Sequence, residues 1–257
     1  MRTAAVLAMG LGAALVLRGD ARTGAVPNNP LGLARVSPPL MLWAWEEPED
    51  LRGIDRQRIG VAFLAERIFL GRDVRVAPRR QSILVPDKAY AVAVARVEAG
   101  TEFADSAALR RETANAILRA AALPGARGVQ VDFDATASQR EFYAGVLRDV
   151  KARMPQGTGL TMTALVSWCA EPAGWMHRLP VDAAVPMYFR LGEHVGKWEI
   201  REPLCAGSAG VSTDEGIAAP NLQGEKHVYV FAPRPWTAEQ IAVLNRSGFP
   251  ANTRGTR

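Results

Sequence analysis

Short continuous apolar runs alternate along this chain with stretches in which apolar positions recur every third or fourth residue. The runs are Leu40–Trp45, Ile59–Leu64, Ala91–Val97, Gly128–Phe133, Leu160–Val166, Ala184–Phe189, Ala209–Val211 and His227–Phe231. Several are apolar throughout rather than strictly alternating, the pattern of parallel strands covered on both faces. The best helices lie between them. Ser106 predicts a cap for a helix over Ala107–Ala122, which stops before Pro124 and Gly125. Ser138, with Glu141 at the third helical position, reads as a capping box for Gln139–Met154, with Pro155 beyond its end. Phe142, Val146, Leu147 and Val150 then share one face. A last helix, Ala238–Asn245, follows Thr237. The segment Arg67–Pro86 has neither period clearly and predicts a hairpin-like excursion.

Eight strands with helices between several of them predict an α/β fold, a (β/α)8 TIM-type barrel. The barrel is expected to be distorted or incomplete, because the crossover from the second strand to the third does not read as helical. An open doubly wound sheet is the alternative, but no Gly-rich phosphate loop follows the first strand.

The beginning of the chain changes the picture of where this barrel works. Arg2 is followed by an uncharged apolar run from Ala4 to Leu17 and then by small and polar residues, the order of a secretory signal. The run falls short of the ~18–20 residues that span a bilayer. The expected organisation is a signal peptide over 1–25, a linker over 26–39 containing VPNNPLG, and one barrel domain over 40–257. That implies a secreted or periplasmic protein with no transmembrane segment in the mature chain. Loss of Arg2, Arg18, Arg22 and Asp20 lowers the formal charge from +5 to +3. The arginines are scattered and form no basic stripe with interleaved aromatics, so nucleic acid is not an expected partner. The even cysteine count allows one disulfide between Cys169 and Cys205, or two buried free thiols.

In a barrel of this kind function belongs at the C-terminal ends of the strands. The first strand ends at Trp45, Glu46 and Glu47, the third at Arg96 and Glu98, and the fourth at Asp132 and Asp134. The fifth ends at Ser167 and Trp168, and the sixth at Tyr188 and Arg190. Carboxylates and aromatics gathered at one end suit carbohydrate, since rings pack on sugar faces and carboxylates bind hydroxyls or protonate a glycosidic oxygen. Asp132, Asp134 and Gln130 share a strand face. Two like charges so close are expected to raise the pKa of one, as a general acid requires. Glu98 stands near Arg96 without any requirement that the two pair. His177, His194 and His227 share no metal-ligand spacing, and no metal or cofactor is implied.

Several phrases also resemble a known family. WAWEEPEDL, GVAFLA, GVQVDFDATASQREFY, LTMTALVSWC and AAVPMYFRLG, in that order, resemble an uncharacterised bacterial family, the domain of unknown function numbered 3142. That family is grouped with barrel-shaped glycoside hydrolases, so the resemblance implies a barrel and brings no established substrate. A more distant likeness is to the family-18, chitinase-type glycoside hydrolases, whose fourth strand ends in D-G-x-D-x-D-x-E. Gly128 matches the glycine, Asp132 the third aspartate and Asp134 the glutamate, while Arg127 and Gln130 replace the first two aspartates. Met187-Tyr188-Phe189 resembles the sixth-strand M-x-Y of that group, with the aromatic one place early.

The expected function is therefore a glycoside-hydrolase-like barrel acting on or binding a polysaccharide or oligosaccharide. In the catalytic form Asp134 is the general acid, Asp132 orients it, and Glu98 or Glu46 is the second carboxylate. Trp45, Trp168, Tyr188, Arg190 and Gln130 are the expected substrate-binding residues. The alternatives are a non-catalytic carbohydrate-binding barrel and a structural or partner-binding envelope protein, the latter using Arg72, Arg75, Arg79 and Arg80 of the excursion as its contact surface.

Overall fold

Apolar runs too short for helices, separated by turns and crossovers, bury both their faces only inside a sheet that is itself covered. The computed structural model describes residues 37–171, 174–191, 198–215 and 227–247. The expected signal segment over 1–25 and most of the expected linker lie outside the described residues. In chain order the strands are β1 (Leu40–Ala44), β2 (Glu49–Asp50), β3 (Ile59–Leu70), β4 (Val74–Pro78), β5 (Ile83–Leu84), β6 (Ala91–Ala99), β7 (Ala126–Asp132), β8 (Gly159–Leu165), β9 (Ala183–Met187), β10 (Ser208–Ser212) and β11 (His227–Phe231). The helices are α1 (Ala107–Ala121), α2 (Arg140–Arg153), α3 (Val166–Ala170) and α4 (Ala238–Arg246).

All eight predicted runs become parallel strands of one closed barrel, in the order β1-β3-β6-β7-β8-β9-β10-β11 and back to β1. Closure is made by the register Leu40↔Ile59 on one side of β1 and Leu40↔Val228 on the other. The segment after β3 is a true hairpin: β4 pairs antiparallel to the far half of β3, and β5 pairs with β2 in a small second sheet. Long helices follow β6, β7 and β11, whereas β8 leads only into the short α3. The barrel is thus complete in its strands and, among the described residues, incomplete in its helices.

Side chains alternate between two apolar layers. The lumen holds Met41, Trp43, Ala62, Val92, Val94, Val185 and Tyr229. Outside, one layer packs β6, β7 and β8 against α1 and α2, and another packs β1 and β11 against α4. Two large lumen residues require small partners: a Cβ on Gly60 would lie 2.6 Å from Met41 Sδ, and one on Gly210 would lie 2.8 Å from Trp43 Cη2.

Local starts and stops differ in places from expectation. Ser106 does cap α1, accepting from Leu109 N at 3.1 Å. Before α2 the chain first winds a tight turn over Ala137–Gln139. The capping contact therefore moves upstream, with Thr136 N donating to Gln139 Oε1 at 2.9 Å, and Ser138 pairs with the Thr136 hydroxyl instead of capping with Glu141. Val166 and Ser167, read as strand end, belong to α3.

The main departure is a β-bulge. Leu64 pairs with Val94 and Glu66 with Ala95, so Ala65 is the extra residue. An extra residue exchanges the faces of everything after it. Glu66 consequently turns out toward α1, and Arg67 turns into the barrel beside Arg96. The Ala65 carbonyl accepts from Arg79 N at 2.8 Å, so the hairpin's return holds the bulge in shape.

Candidate functional site

The strands' C-terminal ends open onto a cavity of about 680 Å3. Along β1, β3, β6 and β7 its wall is a chain of ion pairs. Arg67 donates to Glu98 from Nε at 3.0 Å and from Nη2 at 2.7 Å, and from Nη1 to Glu46 at 2.5 Å. Arg96 donates to Asp132 at 2.9 Å and to Asp134 at 3.0 Å. Its Nε lies 3.9 Å from Glu98, which joins the two halves. Arg96 and Glu98 are two residues apart on β6, so they share a face, and that geometry brings together what the sequence left unpaired. Thr163, on β8, donates its hydroxyl to the other oxygen of Asp132 at 2.7 Å.

The two aspartates therefore do not meet as bare like charges. Burial raises the pKa of the Asp132 carboxyl, Arg96 opposes the rise, Asp134 adds to it, and the Thr163 hydrogen bond opposes it; the net direction is upward. Burial works against the charge of Arg96, yet the two carboxylates outweigh it and raise its pKa. Asp132 sits beneath the cavity surface, 4% exposed, while Asp134 is open to the cavity.

The opposite wall is aromatic. Phe189, just past β9, stacks on Phe231 of β11 with centroids 5.7 Å apart and planes at 8°. Trp45 meets Phe231 edge-on at 6.2 Å, and Trp43 forms the floor against Phe189 at 6.2 Å. Trp198, Leu165, Val166, Met187 and Leu191 complete this side. Arg190 lines the cavity with its guanidinium 5.4 Å above the Phe231 ring.

Of the sequence-named residues, Asp132, Asp134, Glu98, Glu46, Trp45 and Arg190 line the cavity, and three do not. Gln130 is fully buried under the floor, where its Oε1 accepts from Trp43 Nε1 at 2.7 Å. Trp168 turns away with α3 and packs edge-on against Trp175 at 5.0 Å, with Arg140 above it. Tyr188 takes the face opposite to Met187 and Phe189, so the M-x-Y-like phrase presents Phe189, which has no hydroxyl. Arg67, Trp43, Thr163, Phe189, Trp198 and Phe231 were missed. The period of two from Trp45 to Trp43 and from Met187 to Phe189 carried that signal, whereas Arg67 had none, because the bulge alone points it inward. Cys169 and Cys205 are joined, linking α3 to the turn before β10 with Cα atoms 5.9 Å apart.

No protein-family model matches the chain, and a search among curated proteins finds no match. Among solved structures the chain is similar to the spore cortex-lytic enzyme SleL of Bacillus cereus, at 16% identity and a TM-score of 0.44, over 68% of this chain and 50% of that one. It is similar to the chitinase domain of the spore coat protein CotE of Clostridium difficile, at 11% identity and a TM-score of 0.40, over 59% of this chain and 50% of that one. A Streptomyces coelicolor protein assigned as chitinase A shares 13% identity at a TM-score of 0.45, over 73% of this chain and 78% of that one. The chain thus spans about half the length of the first two. These likenesses are distant, and the barrel stands on its own strand pairing.

Proposed function

We propose that this is an exported barrel of glycoside-hydrolase type whose mouth binds a saccharide chain. The observation that carries this is the two-sided cavity, with aromatic faces along one wall and hydrogen-bonding carboxylates and guanidiniums along the other. A sugar ring has the same two sides, apolar C–H faces and a rim of hydroxyls. No helix among the described residues is long and apolar enough to cross a membrane. The Cys169–Cys205 bond suits an oxidising compartment, in keeping with export.

The geometry favours binding over catalysis. Each carboxylate of the wall is bonded to a guanidinium, and a carboxylate so held is first of all a hydrogen-bond acceptor. The catalytic reading has one point in its favour: only Oδ2 of Asp134 is bonded to Arg96, and the residue stays open to the cavity above a buried partner whose pKa is raised. In that reading Asp134 donates its proton to the glycosidic oxygen as the bond from that oxygen to the anomeric carbon breaks, Glu98 or Glu46 takes a proton from the water that adds to the carbon, and Asp132 and Arg96 hold Asp134 in place.

A saccharide array on the mature domain, run beside a reducing-end release assay, tests both. Binding without release is the expected outcome, with Asp134→Asn weakening affinity by about 1.5–3 kcal/mol through one lost charged hydrogen bond. Release by the wild type that falls at least 100-fold in Asp134→Asn would establish the catalytic reading instead. Binding to no saccharide would overturn both.

A further inference from the structure

Three arginines line the cavity, and they are not used alike. Arg67 bridges Glu46 and Glu98, and Arg96 bridges Asp132 and Asp134. Arg190 has no carboxylate within ion-pair distance among the described residues, although its charge reaches Asp214 and helps to lower that carboxyl's pKa. It is held in place at three points. Its backbone is left-handed, with φ 57°, a conformation that arginine adopts at a cost of about 1 kcal/mol. Its N–H is tied to Glu215 Oε1 at 2.7 Å, which secures that turn. Its guanidinium lies on the Phe231 ring, itself stacked on Phe189. A long exposed side chain on a strained backbone, pinned over an aromatic wall, is a fork set in advance for an anion.

Its place in the barrel gives the anion a direction. Arg190 follows β9, which lies diametrically across the closed sheet from β3, the strand of Arg67. The ion-pair wall carries four carboxylates against two guanidiniums and repels a negative group. On the far side the nearby carboxylates are engaged elsewhere, Asp214 by the Ser212 hydroxyl and Glu215 by the Arg190 N–H, which leaves the Arg190 guanidinium as the group that receives one. A saccharide bearing a carboxylate is thereby accepted in one orientation, its acidic group on Arg190 and its hydroxyls toward the carboxylate wall.

We propose that the ligand of this cavity is an acidic saccharide, a uronate-containing chain, and that Arg190 is the residue that selects it. The inference rests on the saccharide-binding reading above and adds the class of sugar. The test uses oligomers of galacturonic, glucuronic and mannuronic acid, each beside its carboxyl-reduced counterpart, titrated calorimetrically against the wild type, Arg190→Gln and Arg190→Lys. One acidic oligomer is expected to bind at least tenfold more tightly than its reduced counterpart, with a preference that falls as salt is raised. Arg190→Gln is expected to shrink that ratio below twofold, and Arg190→Lys, which keeps the charge and loses the fork, to leave it intermediate. Equal affinity for both members of every pair, or a preference unchanged in Arg190→Gln, would overturn the role of Arg190 and leave the saccharide reading standing. Binding of neither member of any pair, together with silence across the neutral saccharide array, would overturn both. Thermal melting of each variant separates a lost contact from a lost fold.

Discussion

Arg96 is the residue on which the candidate site turns, because it converts two nearby carboxylates from mutual repulsion into shared attraction. Its counterpart outside the barrel is Glu66, which has no cation within ion-pair distance among the described residues. That carboxyl is 7% exposed between β4, β6 and α1, its Oε1 has no hydrogen-bond partner, and Arg119 is the cation that acts on it from α1. Burial pushes its pKa up to about 7, against a weaker lowering by Arg119. The folded protein therefore keeps a proton that the unfolded chain has released. The contribution to stability is complete below about pH 4.5 and is lost as pH rises through about 7, a change of about 3 kcal/mol at most. Glu66→Gln cannot ionise and is expected to unfold at higher urea than the wild type at pH 8, with the advantage gone at pH 4. Urea titrations at the two pH values would reveal whether that difference disappears on acidification.

At the scale of elements, the hairpin β3–β4 does more than decorate the barrel. Its return strand supplies the N–H that holds the Ala65 bulge, the bulge aims Arg67, and Arg67 holds Glu46 and Glu98. Arg79, which the envelope-protein alternative places on a contact surface, also donates from Nη2 to the Glu47 carbonyl and so orders the loop that carries Glu46. The strand β7 depends on a different device. Gly128 faces Gly159 of β8 so closely that a Cβ would come 2.5 Å from the Gly159 carbonyl oxygen. Gly128→Ala must push β7 and β8 apart at their base, and backbone shifts of that kind cost about 1–3 kcal/mol. The variant is expected to melt several degrees lower and to weaken the proposed saccharide binding, because Asp132 and Thr163 stand on these two strands. Parallel melting and binding curves would expose a different outcome, a variant with unchanged melting.

At the scale of the whole molecule, the outer side near α3 is sparsely covered by helix among the described residues, and the Cys169–Cys205 bond ties that region down. It closes a loop across a sequence separation of 36, beside backbone hydrogen bonds from Arg201 N and Glu202 N to the Cys169 carbonyl. Loop-closure entropy assigns such a link about 4 kcal/mol. Cys205→Ser, or reductant added to the wild type, is expected to lower stability by that order in chemical unfolding. Equal unfolding midpoints with and without reductant would show that the link contributes nothing.

The barrel was legible in the sequence because its information is local: a strand buried on both faces must be an apolar run, and each of the eight runs occurs where a strand occurs. The strand-end acids were legible for a related reason, since Asp132, Asp134, Glu98 and Glu46 stand where apolar runs stop at one end of the sheet. Phase was less legible. The likeness of Met187-Tyr188-Phe189 to an M-x-Y phrase points to Tyr188, although the strand's period presents Phe189. The turn into α3 that buries Trp168 leaves no mark in a period-two pattern. What tertiary structure alone decided is which charges meet. Pairing of Arg67 with Glu46 and Glu98, and of Arg96 with both aspartates, depends on a one-residue bulge and on neighbouring strands distant in sequence. Hydrophobic burial is a property of each residue and leaves its record in the chain, whereas an ion pair is a property of two positions in space and exists only once the barrel has closed.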